Sequence, residues 1–162
     1  MTEEENVDNE NQTPSTGELE DRIGYRFQNP ELLDRALTRL AYSLENDLPG
    51  GFHMDALATL GDAAIDLAVL ESLIESGIHD KGELSVAKSD SVNMTVLRKA
   101  AEDIGLFRYV KWGRGEESQH IWTSGRVMAE CIEAVAGAVY LDGGISSVEE
   151  ILKITGIIKT RV

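Results

Sequence analysis

Three aspartates, Asp55, Asp62 and Asp66, interrupt the apolar stretch HMDALATLGDAAIDLAVLE (53–71), and two glutamates, Glu130 and Glu133, interrupt RVMAECIEAVAGAVYLD (126–142). Separations of seven and four in the first stretch, and of three in the second, return side chains to one side of a helix. An unpaired carboxylate in apolar surroundings is costly, so such groups acquire a cation, a metal or a proton. If the two stretches pack together as helices, Asp62, Glu130 and Glu133 converge on an oxygen-only site, which suits Mg²⁺ or Mn²⁺ and not zinc. Solvation of the acids, or neutralisation by Lys88, Arg98 or Arg126, is the alternative that spacing alone leaves open.

Other residue types offer less. His53, His79 and His120 lack metal-ligand spacing and read as surface or cap residues. Cys131, the only cysteine, has no evident activating base and reads as a buried structural thiol, with no intramolecular disulfide available. WGRGE (112–116) has two glycines but neither a phosphate loop's spacing nor its Lys-Ser/Thr ending, and reads as a flexible basic-aromatic loop.

The elements that must position the acids are helices. From Glu18 onward apolar residues recur at spacings of three and four, with little strand-like alternation. The expected fold is therefore all-α, a single bundle of about seven helices over 18–162. A short first helix should end near Gly24, and Asn29-Pro30 should cap and open a second that runs through ELLDRALTRLAYS. NDLPGG (46–51) breaks the pattern before a long helix from about Met54 to Ser76. Residues 83–105 should form two helices with a bend near Ser89 to Asn93, 106–125 a loop with at most one short turn, and 126–140 a helix ending in LDGG. A last helix would be capped by Ser146 or Ser147. Residues 1–17 hold five acids and no base, and are expected to be a disordered acidic tail.

The formal net charge of −14 argues against a general affinity for polyanions, although part of it lies in that tail. No run approaches the ~18 apolar residues of a membrane span, and the acidic start leads into no apolar stretch. A soluble protein without a membrane role, in the reducing cytoplasm, is the expectation.

Several stretches together resemble the catalytic domain of the ribonuclease III family. LEDRIGYRFQNPELLDRALTRLAYS is similar to the family's opening helices, whose usual ending is ALTHRSY; LATLGDAAIDLAV resembles the signature NERLEFLGDAVLDLVV; AECIEAVAGAVYLDGG resembles ADALEAVIGAIYLDGG. GELSVAKSDSVNMTVLRKAAEDIGLFRYVKWGRGEE tracks the segment between them. The resemblance implies a Mg²⁺-dependent (or Mn²⁺-dependent) endoribonuclease that cuts double-stranded RNA as a homodimer. Carried over by position, the family's metal-binding carboxylates fall on Asp62, Glu130 and Glu133, with Asp62 and Glu133 the implied catalytic pair. The family's remaining carboxylate falls on Ala58, its first signature glutamate on Asp55, its dimer-locking phenylalanine on Thr59, and its ALTHRSY histidine on Arg39.

Asp55 and Asp66 are possible substitute ligands for the carboxylate absent at Ala58. No double-stranded RNA-binding domain is evident, so RNA contact is expected through local patches at Lys88, Arg98, Lys111 and Arg114. Apolar residues of the signature helix, Leu57, Leu60, Ile65 and Leu67, exceed what one bundle face needs, which with Thr59 suggests a homodimer seam. Because of Ala58, a catalytically impaired dimer that binds RNA or a ribonucleoprotein partner is the alternative.

Overall fold

A computed structural model describes residues 14–159, which form eight α-helices, two 3₁₀ turns and no strand. Most of the expected acidic tail, 1–13, and the last three residues of the expected domain, 160–162, lie outside the described residues. The tail boundary itself moves: helix α1, Thr16–Ile23, already includes Thr16 and Gly17. It ends where expected, because Gly24 takes the left-handed φ of 72° and its N–H donates to the Glu20 carbonyl.

Helix α2, Pro30–Ala36, starts as the sequence implies, with proline in its first turn and the Asn29 side chain accepting the Glu31 N–H. It stops sooner than its periodicity suggests. Thr38 and its neighbours leave the helix to pair with a distant segment: the Lys111 N–H donates to the Leu37 carbonyl at 2.7 Å, and the Arg39 N–H to the Lys111 carbonyl at 3.2 Å. The remainder of the expected helix becomes a separate α3, Leu40–Glu45. Tertiary hydrogen bonding has overridden a local helical pattern, and it places Arg39 at the start of α3.

Helix α4, Asp55–Glu75, carries the first acidic stretch. Helices α5, Lys81–Ser91, and α6, Met94–Asp103, are capped by Asp80 and Asn93, whose side chains accept the Glu83 and Val96 N–H groups. Residues 106–125 are more ordered than a loop. They contain 3₁₀ turns at Leu106–Arg108 and Ile121–Thr123 and the short α7, Arg114–Ser118, where Glu116 turns back to accept the Gly113 N–H.

Helix α8, Gly125–Ile154, takes in both expected C-terminal helices, with a break at Gly144 (φ 80°, ψ −175°). Ser147 does not cap the second half; its hydroxyl donates to the Gly143 carbonyl. Just before the break Asp142 accepts the Tyr25 hydroxyl and the N–H groups of Gln28 and Asn29 at 2.7–2.9 Å, tying α8 to the turn after α1. By length and hydropathy α8 could span a membrane, contrary to the sequence expectation, but half of that stretch is buried inside the bundle. Its Ile132, Ala134, Val135, Ala138 and Val139 belong to the protein core.

Helices α4 and α8 cross in contact. A β-carbon on Gly61 would stand 2.6 Å from the Glu133 carbonyl carbon and 2.8 Å from the Gly137 nitrogen. One on Gly137 would stand 2.9 Å from the Leu57 carbonyl carbon. The register, 61 against 133 and 57 against 137, runs antiparallel. Gly61→Ala is expected to lower unfolding free energy by about 3 kcal/mol, because backbone rather than a flexible side chain opposes the methyl. Urea denaturation checks this. Gly115→Ala, with open space around a helical glycine, should instead stabilise by about 0.5 kcal/mol.

Candidate active site

The crossing brings both acidic stretches to one cleft of about 630 Å³. From α4 come Asp55, Ala58, Thr59, Asp62 and Asp66; from α8 Arg126, Glu130 and Glu133; from the start of α6 Met94 and Leu97. All five acids singled out by spacing therefore share one cavity. A larger groove of about 1000 Å³, between the ends of α4 and α6 and residues 155–159, contains none of them. It is lined by apolar side chains such as Leu73, Val96 and Ile157.

The acids in the cleft differ in how their charge is held. Glu133 is partly buried, and desolvation together with the charges of Asp62, Glu130 and Asp66 raises its carboxyl from an ordinary 4.5 to about 7. Asp66 meets the Lys88 ammonium at 2.9 Å, and Asp55 lies 3.7 Å from the His53 ring nitrogen. Glu130 is approached by the Arg39 guanidinium at 3.4 Å. Asp62 is exposed and is in no ion pair among the described residues.

Of the three cations considered as neutralising partners, only Lys88 serves, on Asp66. Arg98 pairs with Glu102 instead, and Arg126 stands exposed at the cleft wall. Arg39 is the neutralising cation that the spacing of the acids did not reveal. The signal available was its place in the opening motif, where a charged residue stands for an expected histidine.

Several other expectations resolve. Cys131 is fully buried, and burial raises its thiol to about 12, in keeping with a structural role. Of the proposed RNA-contacting cations, Lys111 pairs with Asp34 at 2.6 Å, while Arg114 is exposed. Of the dimer-face residues, Leu57 is only 2 % exposed and Ile65 1 %, so both are filled by the chain's own core. A seam is not where they sit: both belong to the chain's own hydrophobic core. Thr59 and Leu67 remain exposed, Leu67 by 52 %, and Leu60 is half-buried.

Among the described residues, no group of three or more His, Cys, Asp or Glu side chains is arranged to hold a metal ion. Mg²⁺ nevertheless needs only one or two carboxylates beside its waters. Asp62 and Glu133 fit that requirement: both donors are oxygen, they line one cleft, and the crowding that keeps a proton on Glu133 is relieved equally by a cation. Glu130 fits only after leaving Arg39. Asp66 is engaged by Lys88, and Ala58, 5 % exposed, offers no donor.

Comparison with known proteins matches residues 29–158 to the family described as ribonuclease-III-like. The ribonuclease 3 of Bdellovibrio bacteriovorus is 40% identical over 129 residues, 78% of this chain and 54% of that protein. That of Pseudothermotoga lettingae is 37% identical over 135 residues, 81% of this chain and 57% of that protein. The chain thus spans little more than half the length of these curated relatives. Among solved structures, the nuclease domain of ribonuclease III from Campylobacter jejuni, described for flexibility in a region involved in dimer formation, superposes with a TM-score of 0.77. Its identity is 26%, and the match covers 87% of this chain and 96% of that one.

The state of Glu133 has a consequence for stability. Between pH 4.5 and about 7 the folded protein keeps a proton that the unfolded chain has released, so this group makes stability fall as pH rises through that window and level off above it. Glu133→Gln has no proton to lose. Relative to the wild type it should gain stability between about pH 5 and about pH 8, measured by chemical denaturation at each pH. A constant difference between the two proteins across that range rules out the raised carboxyl.

Proposed function

Since the chain belongs to the ribonuclease III-like family, we propose that it is a metal-dependent endoribonuclease that cleaves double-stranded RNA as a homodimer. The observation that carries this reading is the convergence of Asp62, Glu130 and Glu133 on one cleft, at the positions where the family's motifs place metal-binding carboxylates. When bound, Mg²⁺ or Mn²⁺ supplies Lewis acidity at a phosphodiester. Asp62 and Glu133 are the residues that would hold and orient the cation, both as carboxylates. Glu130, on the same side of α8, would be a third donor once it leaves Arg39.

Arg126, exposed at the cleft wall, and Arg114 are cations available to backbone phosphates. Lys88, Arg98 and Lys111 exchange carboxylate partners for phosphate if they contribute. Such contacts read duplex shape and carry little sequence information. The α4 surface bearing Thr59 and Leu67, with half-buried Leu60, is the proposed homodimer face, which two copies would make continuous.

A second reading, a catalytically impaired dimer that binds RNA or a ribonucleoprotein, is favoured by one specific observation. The cleft wall one turn before Asp62 is a buried methyl at Ala58, not a carboxylate.

Incubation with a long RNA duplex in Mg²⁺ or Mn²⁺ separates the two. The nuclease reading expects internal cleavage that chelation abolishes and that Asp62→Asn or Glu133→Gln lowers by about 100-fold or more. Ala58→Glu should raise the rate, by about tenfold. Retention of duplex with no cleavage under either metal sinks the enzyme reading and supports the second. Sedimentation at micromolar concentration should give a dimer mass that Leu67→Glu converts to monomer; a monomeric wild type rules out the homodimer.

A further inference from the structure

The guanidinium of Arg39 stands behind Glu130, a residue of the acid cleft, and is held there from several sides. Glu116 accepts from Nε at 3.0 Å and from a terminal nitrogen at 2.8 Å. The Trp112 ring lies alongside, its centroid 5.6 Å from Cζ. The other terminal nitrogen faces Glu130 at 3.4 Å and the Met54 sulfur at 3.5 Å. Glu116 is itself fixed, accepting the Gly113 N–H at the start of α7. The Arg39 and Glu116 side chains are 14% and 17% exposed, whereas that of Glu130 is 36% exposed.

These contacts are unequal. Arg39 with Glu116 is a short, largely buried pair in which two N–H groups meet one carboxylate oxygen; Glu130 is a longer and wetter second partner. The guanidinium therefore keeps its place when Glu130 moves. A fixed cation whose remaining N–H faces an oxygen donor competes with any divalent ion for that donor, and its charge also opposes the ion directly.

Building on the metal-dependent reading above, we propose that Arg39 is a positioning residue that withholds Glu130 from a divalent cation: the carboxylate rests on the guanidinium and joins Asp62 and Glu133 around an ion only by leaving it. The cleft then has two donors at rest and recruits its third at the expense of an ion pair. Lys88 meets Asp66 in the same sense at 2.9 Å, but from a long side chain 33% exposed and without the fixed placement that Glu116 gives Arg39.

Mn²⁺ binding to the full chain, followed by electron paramagnetic resonance of the free ion, tests this without reference to activity. The cleft site is counted as the Mn²⁺ lost on Asp62→Asn. Wild type, Arg39→Gln, Glu130→Gln and the double variant form a cycle. Arg39→Gln should bind Mn²⁺ about tenfold more tightly. Glu130→Gln should weaken binding by a larger factor in the Arg39→Gln background than in the wild type. If Arg39→Gln does not fold, Arg39→Lys, which loses the planar fork, gives the same ordering with smaller amplitude. Unchanged affinity in the Arg39 variant, or an equal effect of Glu130→Gln in both backgrounds, overturns the proposal alone. No cleft Mn²⁺ in any of the four proteins overturns the metal reading and the proposal with it.

Discussion

At the crossing of α4 and α8 two backbones touch, and the site depends on that closeness. Gly61 and Gly137 leave no room for a β-carbon on either helix, while Ala58, Ala64 and Ala68 on α4 and Ala134 and Ala138 on α8 keep the buried faces small. Asp62 follows Gly61 directly, and the Glu133 carbonyl is the atom that a methyl on Gly61 would strike. A side chain next to such a contact emerges at its flank, so Asp62 and Glu133 share one cleft because the glycines let their helices meet. Larger residues at the crossing would separate the helices and leave two unrelated surface acids.

The same closeness creates an electrostatic problem, which the protein solves acid by acid. Like charges brought together in a partly dry space favour any positive partner, whether proton, ammonium, guanidinium or metal ion. Glu133 is pushed toward the protonated form, its carboxyl raised to about 7, while Asp66 takes Lys88 and Glu130 takes the spare edge of Arg39. Asp62, the most exposed, takes none among the described residues. Each partner is a competitor for a divalent cation, and they differ in ease of displacement. A proton leaves with a modest rise in pH, and a surface lysine swings away. A guanidinium pinned by Glu116 and Trp112 does neither.

Much of this was legible in the sequence. Period located α4, α5 and α6, and Gly24 and Asn29 marked the end of α1 and the start of α2, since each acts on a backbone group within a few residues of itself. The acids of the cleft were legible for a similar reason: i, i+4 and i+7 placement is local geometry. What escaped was nonlocal. The split between α2 and α3 follows from hydrogen bonds to Lys111, some seventy residues away, and no periodicity within 30–45 encodes it. Leu57 and Ile65 look surplus to one helix face until the assembled bundle buries both in its core. Arg39 belongs with these. Its role comes from Glu116 and Glu130, which neighbour it only after the 37–39 segment pairs with Lys111.

Ala58 and Arg39 are best considered together. Relative to the family's motifs, one substitution removes a carboxylate from the cleft wall and the other sets a permanent cation in place of a neutral or titratable ring. Both move the local charge in the same direction. An acidic cleft attracts metal ions and repels phosphodiesters, so a shift toward neutrality weakens the first interaction and eases the second. In a chain whose overall charge is −14, that easing bears on the proposed RNA substrate, because acids oppose the approach of any polyanion. The two departures from the motif are thus one electrostatic change. It spares the geometry of Asp62 and Glu133, which the glycine crossing holds in place, and makes the field around them less negative.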